Sequence, residues 1–394
     1  MKNNLMIIVP KLSDGGTERV ASNLSINLNS KYHQFIALYY NDKLDFPHKG
    51  EIINLGIKSK NNPVSKLICF LKRYYKIRNL KRKLNIDYSI SFGENPNLIN
   101  ILTRYKDKII TTIHFCKTYE KKHIYNLLYD KLITLFYNKA DCNITVSKMA
   151  RYDLISNYKL KSEKVKCIYN FLNIDKIFEL SKESIEKEYS HLFTGRTIIN
   201  VGRLNYQKGH WHLIKALKVL TLKIPDIKLV IIGDGELKQR ILELVKNLNL
   251  ENNVFLLGFR PNPFKYIAKS DCFVLSSLYE GFPNVLVEAL ACSSCIVSSD
   301  CKSGPRELLA PNTDITNESQ DVEITEYGIL TPQLDRKEDW NPDNLSNEEK
   351  VLAEGMYRIL SDIQLMNKYK DKAILRANDF SSEKIIKEYE DLLK

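Results

Sequence analysis

No apolar run in this 394-residue chain is long enough to cross a bilayer. Runs such as Leu5–Val9 and Leu229–Ile232 are of strand length, against the ~18 residues a spanning helix needs. The N-terminus offers one lysine, a very short apolar run, then Pro10 and a polar Gly-Gly loop, which is not the pattern of a secretory leader. The eight cysteines are scattered, and Cys292-Ser-Ser-Cys295 has no second C-x-x-C or histidine cluster near it. That argues against a zinc site or a disulfide framework and fits reduced thiols in a cytoplasmic protein. Neither glycine pair completes G-x-G-x-x-G: Gly15-Gly16 lacks the fingerprint, and after Gly233-Asp234-Gly235 the last place is Lys238. A nicotinamide enzyme is therefore disfavoured. Internal repeats, low-complexity tracts and Asp-x-Asp are also missing.

What is present is an alternation. Short β-rich runs occur at Met6–Val9, Phe35–Tyr40, Tyr88–Ser91, Lys108–Ile113, Asn143–Val146 and Lys166–Tyr169. They continue at Thr197–Val201, Lys228–Ile232, Val254–Leu257, Cys272–Ser276 and Ile296–Ser299. Helical stretches lie between them at βαβ spacing. Parallel sheets covered by helices on both faces are expected. There are too many strands for one comfortable sheet, so the fold class is α/β with two doubly wound, Rossmann-like domains. The domains are placed at 1–175 and 195–375, with the boundary in the charged stretch Asn170–Thr194. The last residues, 376–394, hold an amphipathic helix with Ile385, Ile386, Tyr389 and Leu392 on one side. Thr313–Glu326 reads as an acidic surface loop. Open α/β domains bind ligands beyond the carboxyl ends of their strands, so the site is expected in a cleft between the two.

The segment Tyr279-Glu-Gly-Phe-Pro-Asn-Val-Leu-Val-Glu-Ala-Leu290 carries the densest chemistry. Pro283 suits the first helical position. The amides of Asn284, Val285 and Leu286 would then lack intrahelical acceptors and face an anion. Glu280 stands just before this end and Glu288 inside the helix. An anion site between two carboxylates suits a ligand with phosphate and hydroxyl groups, such as a sugar nucleotide. A capped amphipathic helix with two solvated acids would show the same spacing. In Gly202-Arg203-Leu204, with Lys208-Gly209 shortly after, two cations on one loop could offset a diphosphate's charge. His114 ends the strand Lys108–Ile113, where an α/β protein places reactive groups. Gly15-Gly16 follows the first strand, where glycine lets backbone N–H groups approach a phosphate.

Glu, seven residues, Glu, with Gly-Phe-Pro-Asn after the first and Glu-Ala-Leu-Ala at the end, resembles the donor-site motif of the retaining GT-B glycosyltransferases of family 4. Gly-Arg-Leu…Lys-Gly followed by Leu-Ile-Lys-Ala is similar to that family's phosphate-binding loop, and Ser303-Gly304-Pro305-Arg306-Glu307 matches a further family segment. The resemblance spans nearly the whole chain. It implies a two-domain GT-B fold and transfer of a sugar, hexose or N-acetylhexosamine, from a nucleotide diphosphate, expected to be UDP, to an acceptor hydroxyl. It implies His114 and Glu280 as catalytic residues. It implies donor contacts at Gly15, Gly16, Arg203, Lys208, Phe259, Phe282, Pro283, Asn284, Val285, Leu286 and Glu288. Phe259 belongs to Gly258-Phe259-Arg260, similar to the loop that meets the nucleobase. Without Asp-x-Asp, which glycosyltransferases of the other main fold use to hold a divalent ion, no metal or other cofactor is expected.

The implied setting is surface polysaccharide or lipid-linked oligosaccharide assembly, with a glycan or polyprenyl-diphosphate-linked acceptor. Residues 1–180 carry +16 and residues 181–394 carry −4. Within the basic half, Lys66–Leu84 aligns Leu67, Phe70, Leu71, Tyr74, Ile77 and Leu84 on one helical face, with seven Lys and Arg after Lys66. His123–Lys139 groups Ile124, Leu127, Leu128, Leu132 and Leu135. Basic amphipathic helices can lie on an anionic membrane, or bury the apolar stripe and leave the lysines in water. Peripheral attachment to the inner face of the cytoplasmic membrane is the expectation. Two other readings are a sugar-nucleotide epimerase of the same fold, which needs no acceptor, and a basic nucleic-acid-binding protein. The second is weak, because the aromatics of Lys66–Leu84 follow helical spacing rather than an exposed platform. Glu94, at another strand end, is a further candidate to face an acceptor hydroxyl.

Overall fold

In a computed structural model of the protein, the described residues are 2–13, 15–28, 30–42, 46–60, 62–116, 118 and 124–394, the side chains of 124–129 excepted. The first sheet is built from β1 (Asn3–Val9), β2 (Tyr32–Leu38), β3 (Glu51–Asn54), β4 (Tyr88–Phe92), β5 (Lys108–Ile113), β6 (Cys142–Thr145) and β7 (Val165–Cys167). Their order is β3-β2-β1-β4-β5-β6-β7, with every neighbouring pair parallel. The second sheet uses β8 (Thr197–Val201), β9 (Lys228–Ile232), β10 (Val254–Gly258), β11 (Cys272–Leu275), β12 (Cys295–Ser299), β13 (Glu323–Ile324) and β14 (Ile329–Thr331). Its order is β10-β9-β8-β11-β12-β14-β13, parallel except for β13 against β14. The central strands are buried along their length, as Leu5–Val9 and Cys272–Leu275 show. Such unbroken apolar runs are what a parallel sheet covered on both faces requires.

Three strands escape the sequence pattern. β3, β13 and β14 have two to four residues, too few to show a period. They exist because a neighbouring strand offers them an edge. β13 also revises the reading of Thr313–Glu326 as a surface loop: Glu323 is in the sheet and Ser319 is buried.

The chain forms two compact units, Met1–Phe171 with Ser382–Lys394, and Leu172–Ser381. Residues 172–194 fold with the second unit. Their helix Ile174–Ser181 is capped by Asn173 and buries Ile174 and Ile177. The terminal helix Ser382–Leu392 places Ile385, Ile386, Tyr389 and Leu392 in one core with Leu5, Ile7, Val20 and Ile36.

In both sheets the strand order reverses beside the first strand, between β1 and β4 and between β8 and β11. At such a switch point the neighbouring loops lead away to opposite sides and leave a crevice at the carboxyl ends. The loops that follow β8 and β11 hold Arg203 and Lys208, and Glu280.

The helix Pro63–Lys83 departs from expectation. Its buried residues are Cys69, Arg73, Ile77 and Lys81, two of them cations. Leu67 and Leu71, on the apolar stripe that could face either core or membrane, are exposed. The Arg73 guanidinium donates to the Ile57 carbonyl (2.8 Å) and lies 4.1 Å from the Tyr39 ring centre. Lys81 Nζ pairs with Asp107 at 2.8 Å, both side chains fully buried, and donates to Asn100 Oδ1 at 2.6 Å. These partners come from distant segments, so a helical wheel could not show them. In the second basic stretch, His123 lies outside the described residues, as do the side chains of Ile124, Leu127 and Leu128; Leu135 is exposed. Among the described residues no helix is long and apolar enough to cross a membrane.

Candidate functional site

Lys208 and Glu280 meet beyond the carboxyl ends of β8 and β11. Lys208 Nζ donates to Glu280 Oε1 at 2.6 Å, with Lys208 18% and Glu280 7% exposed. Ser277 Oγ donates to the same oxygen at 2.7 Å. Gln207 Nε2 donates to Oε2 at 3.2 Å and to the Tyr279 carbonyl at 3.0 Å. The carboxylate is thus held by a cation and two neutral donors, which offsets its removal from water.

The two loops are stitched together. The Leu278 amide donates to the Gln207 carbonyl (2.8 Å), and Ser276 Oγ to the Lys208 carbonyl (2.9 Å). Gly209 permits this closeness: its φ is 57°, and a Cβ there would lie 2.4 Å from the Ser276 carbonyl oxygen. His210 follows, buried, with Nε2 3.1 Å from Asn200 Oδ1. Burial, then the charge of Lys208, pushes its pKa down to about 3, so the imidazole is neutral and adds no charge beside Lys208.

A third segment, Asp300–Arg306, supports Glu280 from the other side. The Glu280 amide donates to the Lys302 carbonyl and the Ser303 amide to the Glu280 carbonyl, each at 3.0 Å. Ser303 Oγ donates to the Gly281 carbonyl at 2.7 Å. Gly304 has a φ of 105°, and a Cβ would come 2.3 Å from Pro283 Cδ. Lys302 Nζ caps the Asn317 carbonyl (2.9 Å). Buried Arg306 joins Asp300 Oδ2 and Glu323 Oε2, both at 2.6 Å, and Ser319 Oγ at 3.0 Å. Burial lowers its pKa, but the two carboxylates outweigh that and hold the guanidinium charged. The residues of Ser303–Glu307 therefore tie the Glu280 turn to the 313–323 segment.

The helix after Glu280 spans Asn284–Ala291, and Pro283 is its N-cap rather than its first residue. The expected trio of free amides is also smaller. Asn284 N donates to the Phe282 carbonyl and Leu286 N to the Pro283 carbonyl, each at 2.9 Å. A tight turn at the helix entry supplies acceptors that the Pro-first reading did not include. The Phe282 ring is buried, 5.4 Å from that of Phe380, so what this residue offers a ligand is backbone. Glu288 is buried on the same helix. Burial, then the Glu288 carboxylate, raises the thiol pKa of Cys292 one turn on.

The other candidates are more dispersed. Arg203 is 70% exposed and lies 3.6 Å from Glu236 Oε2 rather than against Glu280. Phe259 follows β10, is 74% exposed, and precedes Arg260, which donates to the Tyr189 hydroxyl at 2.6 Å. Gly15, Gly16 and His114 belong to the first unit. Gly15 caps the helix Gly16–Asn27, and a Cβ on it would overlap the Glu18 carboxylate. That acid stands where the phosphate contact was expected. His114 Nε2 is 3.0 Å from Thr112 Oγ1, and its ring centre is 5.8 Å from that of Phe92. Glu94 opens the helix that follows β4. Gln207 and Ser277 were missed by sequence reasoning. Gln207 stands beside a predicted cation, which is a usable signal; Ser277 has none. Among the described residues no three or more His, Cys, Asp and Glu side chains gather as a metal-binding group.

The description "Glycosyl transferases group 1" matches residues 181–323, and "Glycosyltransferase Family 4" matches residues 14–176. An uncharacterized glycosyltransferase of Methanocaldococcus jannaschii is 39% identical over 379 residues, covering 93% of this chain and 92% of the relative. The N-acetylgalactosamine-N,N'-diacetylbacillosaminyl-diphospho-undecaprenol 4-alpha-N-acetylgalactosaminyltransferase of Campylobacter jejuni is 34% identical, covering 98% of this chain and 97% of its own. Among solved structures, Anabaena Alr3699/HepE in complex with UDP superimposes with a TM-score of 0.74 at 20% identity, over 100% of this chain and 99% of that one. That last likeness concerns the fold.

Proposed function

The chain belongs to family 4 of the glycosyltransferases, and we propose that it moves a sugar, with retention of configuration, from a UDP-linked donor to a polyprenyl-diphosphate-linked glycan. The observation that carries this reading is the Lys208–Glu280 pair at the β8/β11 switch point. An incoming diphosphate competes for the ammonium, which frees one carboxylate oxygen to accept from a sugar hydroxyl. As the sugar bond breaks, charge grows on the departing diphosphate, and a cation placed in advance stabilises it more than the ground state. Arg203, on the same loop, adds a second cation. Glu288 accepts from the donor ribose, and the Asn284–Ala291 helix end lies beside the phosphates. Phe259 lies along the base. In the first unit, His114 serves the anomeric region, and Gly15-Gly16 meet the donor phosphates once the flexible Glu18 side chain turns away. With these cations no metal ion is required. The Campylobacter relative, named for a diphospho-undecaprenol substrate, supports the acceptor class. A role in surface polysaccharide or lipid-linked oligosaccharide assembly follows from it, as does peripheral attachment of the first unit to the inner face of the cytoplasmic membrane.

The test is to incubate the full chain with a panel of UDP-linked hexoses and N-acetylhexosamines and a polyprenyl-diphosphate-linked acceptor. We expect nucleotide release that depends on acceptor, an α-linked product from an α-donor by anomeric proton coupling, and no loss of rate with EDTA. An inverted product, or abolition by EDTA with rescue by a divalent ion, overturns the corresponding part.

A further inference from the structure

The helix Pro63–Lys83 turns apolar side chains outward. Val64, Leu67, Ile68, Leu71 and Tyr75 are exposed, Val64 by 68%, Leu67 by 62% and Tyr75 by 61%. Their spacing from Val64 is three, four, seven and eleven residues, which is one face of a helix. Scattered exposed apolar residues need no explanation; five on one stripe do. Arg82, seven residues beyond Tyr75, continues the stripe at its end and is exposed, and Lys72 and Lys83, also exposed, follow one flank. The helix has no acidic residue.

We propose that this stripe is a bilayer-docking face: the five apolar side chains enter the headgroup–acyl boundary of an anionic membrane while Lys72, Arg82 and Lys83 meet the lipid headgroups. The inference rests on the membrane reading of the proposed function and says which face is used and how. Attachment through lysines alone would be electrostatic and lost in salt. Here two of the helix's cations, Arg73 and Lys81, are spent on internal partners, and the outward surface sets the five apolar side chains beside exposed Lys66, Lys72, Lys76, Arg82 and Lys83. The attachment therefore has a component that salt does not remove. Anionic lipid is favoured over a second copy of the chain by charge. A two-fold contact through this stripe would bring together two helices that each carry many cations and no acid to pair with them.

The experiment uses the full chain and sedimentation with vesicles of phosphatidylcholine, with and without about one third phosphatidylglycerol. The variants are Leu67→Ser/Leu71→Ser/Tyr75→Ser, Lys72→Glu/Arg82→Glu and Leu71→Trp. Helix Pro63–Lys83 belongs to the first unit, so the urea-unfolding transition of the full chain, followed by circular dichroism, reports whether each variant remains folded. Wild type should bind anionic vesicles and keep a measurable bound fraction in 0.5 M NaCl, about the level where screening is nearly complete. The triple apolar variant should partition at least about tenfold more weakly, with the unfolding transition unchanged. The charge variant should lose its preference for anionic lipid. With Leu71→Trp, a blue shift and quenching by chain-brominated lipid place the side chain inside the boundary. If wild type binds and the triple variant binds equally, this face is not the one used, and the membrane reading stands without it. Absence of binding at low salt removes both. A dimer in sedimentation velocity that the triple variant dissolves, without vesicle binding, assigns the stripe to a second copy and overturns the proposal.

Discussion

Glu280 is an acid held in advance. Three side chains, Lys208, Ser277 and Gln207, fix its two oxygens. Removing the lysine leaves a mostly buried carboxylate with neutral donors only. Lys208→Ala is therefore expected to cost both turnover and stability, while Glu280→Gln keeps the shape and chiefly weakens sugar-nucleotide binding relative to bare UDP. Steady-state kinetics and calorimetry on the two variants separate these outcomes. Glu288→Gln should weaken the donor by about 1.5–3 kcal/mol, the worth of a charge-assisted hydrogen bond, with the melting temperature little changed. His210 adds a pH dependence. Its pKa is near 3 in the fold and ~6.5 when unfolded. Between these values the unfolded chain binds a proton that the folded chain does not. Stability from this residue is full above ~6.5 and falls as the medium becomes more acidic, by at most about 1.4 kcal/mol per pH unit. Replacing His210 by Asn should flatten that part of a urea-unfolding pH series; an unchanged slope removes the assignment. The two glutamates and the lysine were legible from the sequence because family 4 spacing marks them. The turn that occupies the Asn284 and Leu286 amides was not, because it depends on where Pro283 falls relative to the helix start.

At the scale of elements, the Glu280 turn is held by a segment whose family resemblance was readable but whose role was not. Asp300–Arg306 touches the Glu280 turn through its backbone and the 313–323 segment through Arg306 and Lys302. Arg306→Met leaves Asp300 buried without its cation, and a broken buried pair costs about 3–5 kcal/mol. Because the pair shares a network with the Glu280 turn, kcat should fall together with stability. An unchanged denaturation midpoint would show that Arg306 is not an anchor. The helix Pro63–Lys83 makes the same point in reverse. Its periodicity was readable, but the buried face was not, because Lys81 is stabilised by Asp107 and Asn100 from other elements. Burial lowers the Lys81 pKa to about 8 despite Asp107. Burial also raises that of Asp107, but Lys81, Ser89 and the Tyr105 amide together outweigh it and keep the net value below the usual range.

At the scale of the whole molecule, the chain's end is part of its beginning. Ile385, Ile386, Tyr389 and Leu392 fill the same core as β1 and the helix Gly16–Asn27. A chain ending at Ser381 exposes that core and should unfold the first unit at lower urea, by several kcal/mol given about 2–5 for each large apolar truncation. UDP binding by the second unit should persist in such a chain. Loss of both together would mean that the two units unfold as one.

The order of the longer strands, the presence of two α/β units and the places of Glu280, Glu288, Lys208 and His114 along them were legible in the sequence, because apolar periodicity and motif spacing are local properties. Only the tertiary structure decided which side of a basic helix is covered. It also decided which cation meets which carboxylate, so that Lys208 rather than Arg203 holds Glu280. Strands as short as Ile329–Thr331 exist only by its pairing. Each of these depends on partners tens or hundreds of residues away, where a buried charge or an edge strand is stable only once its complement arrives.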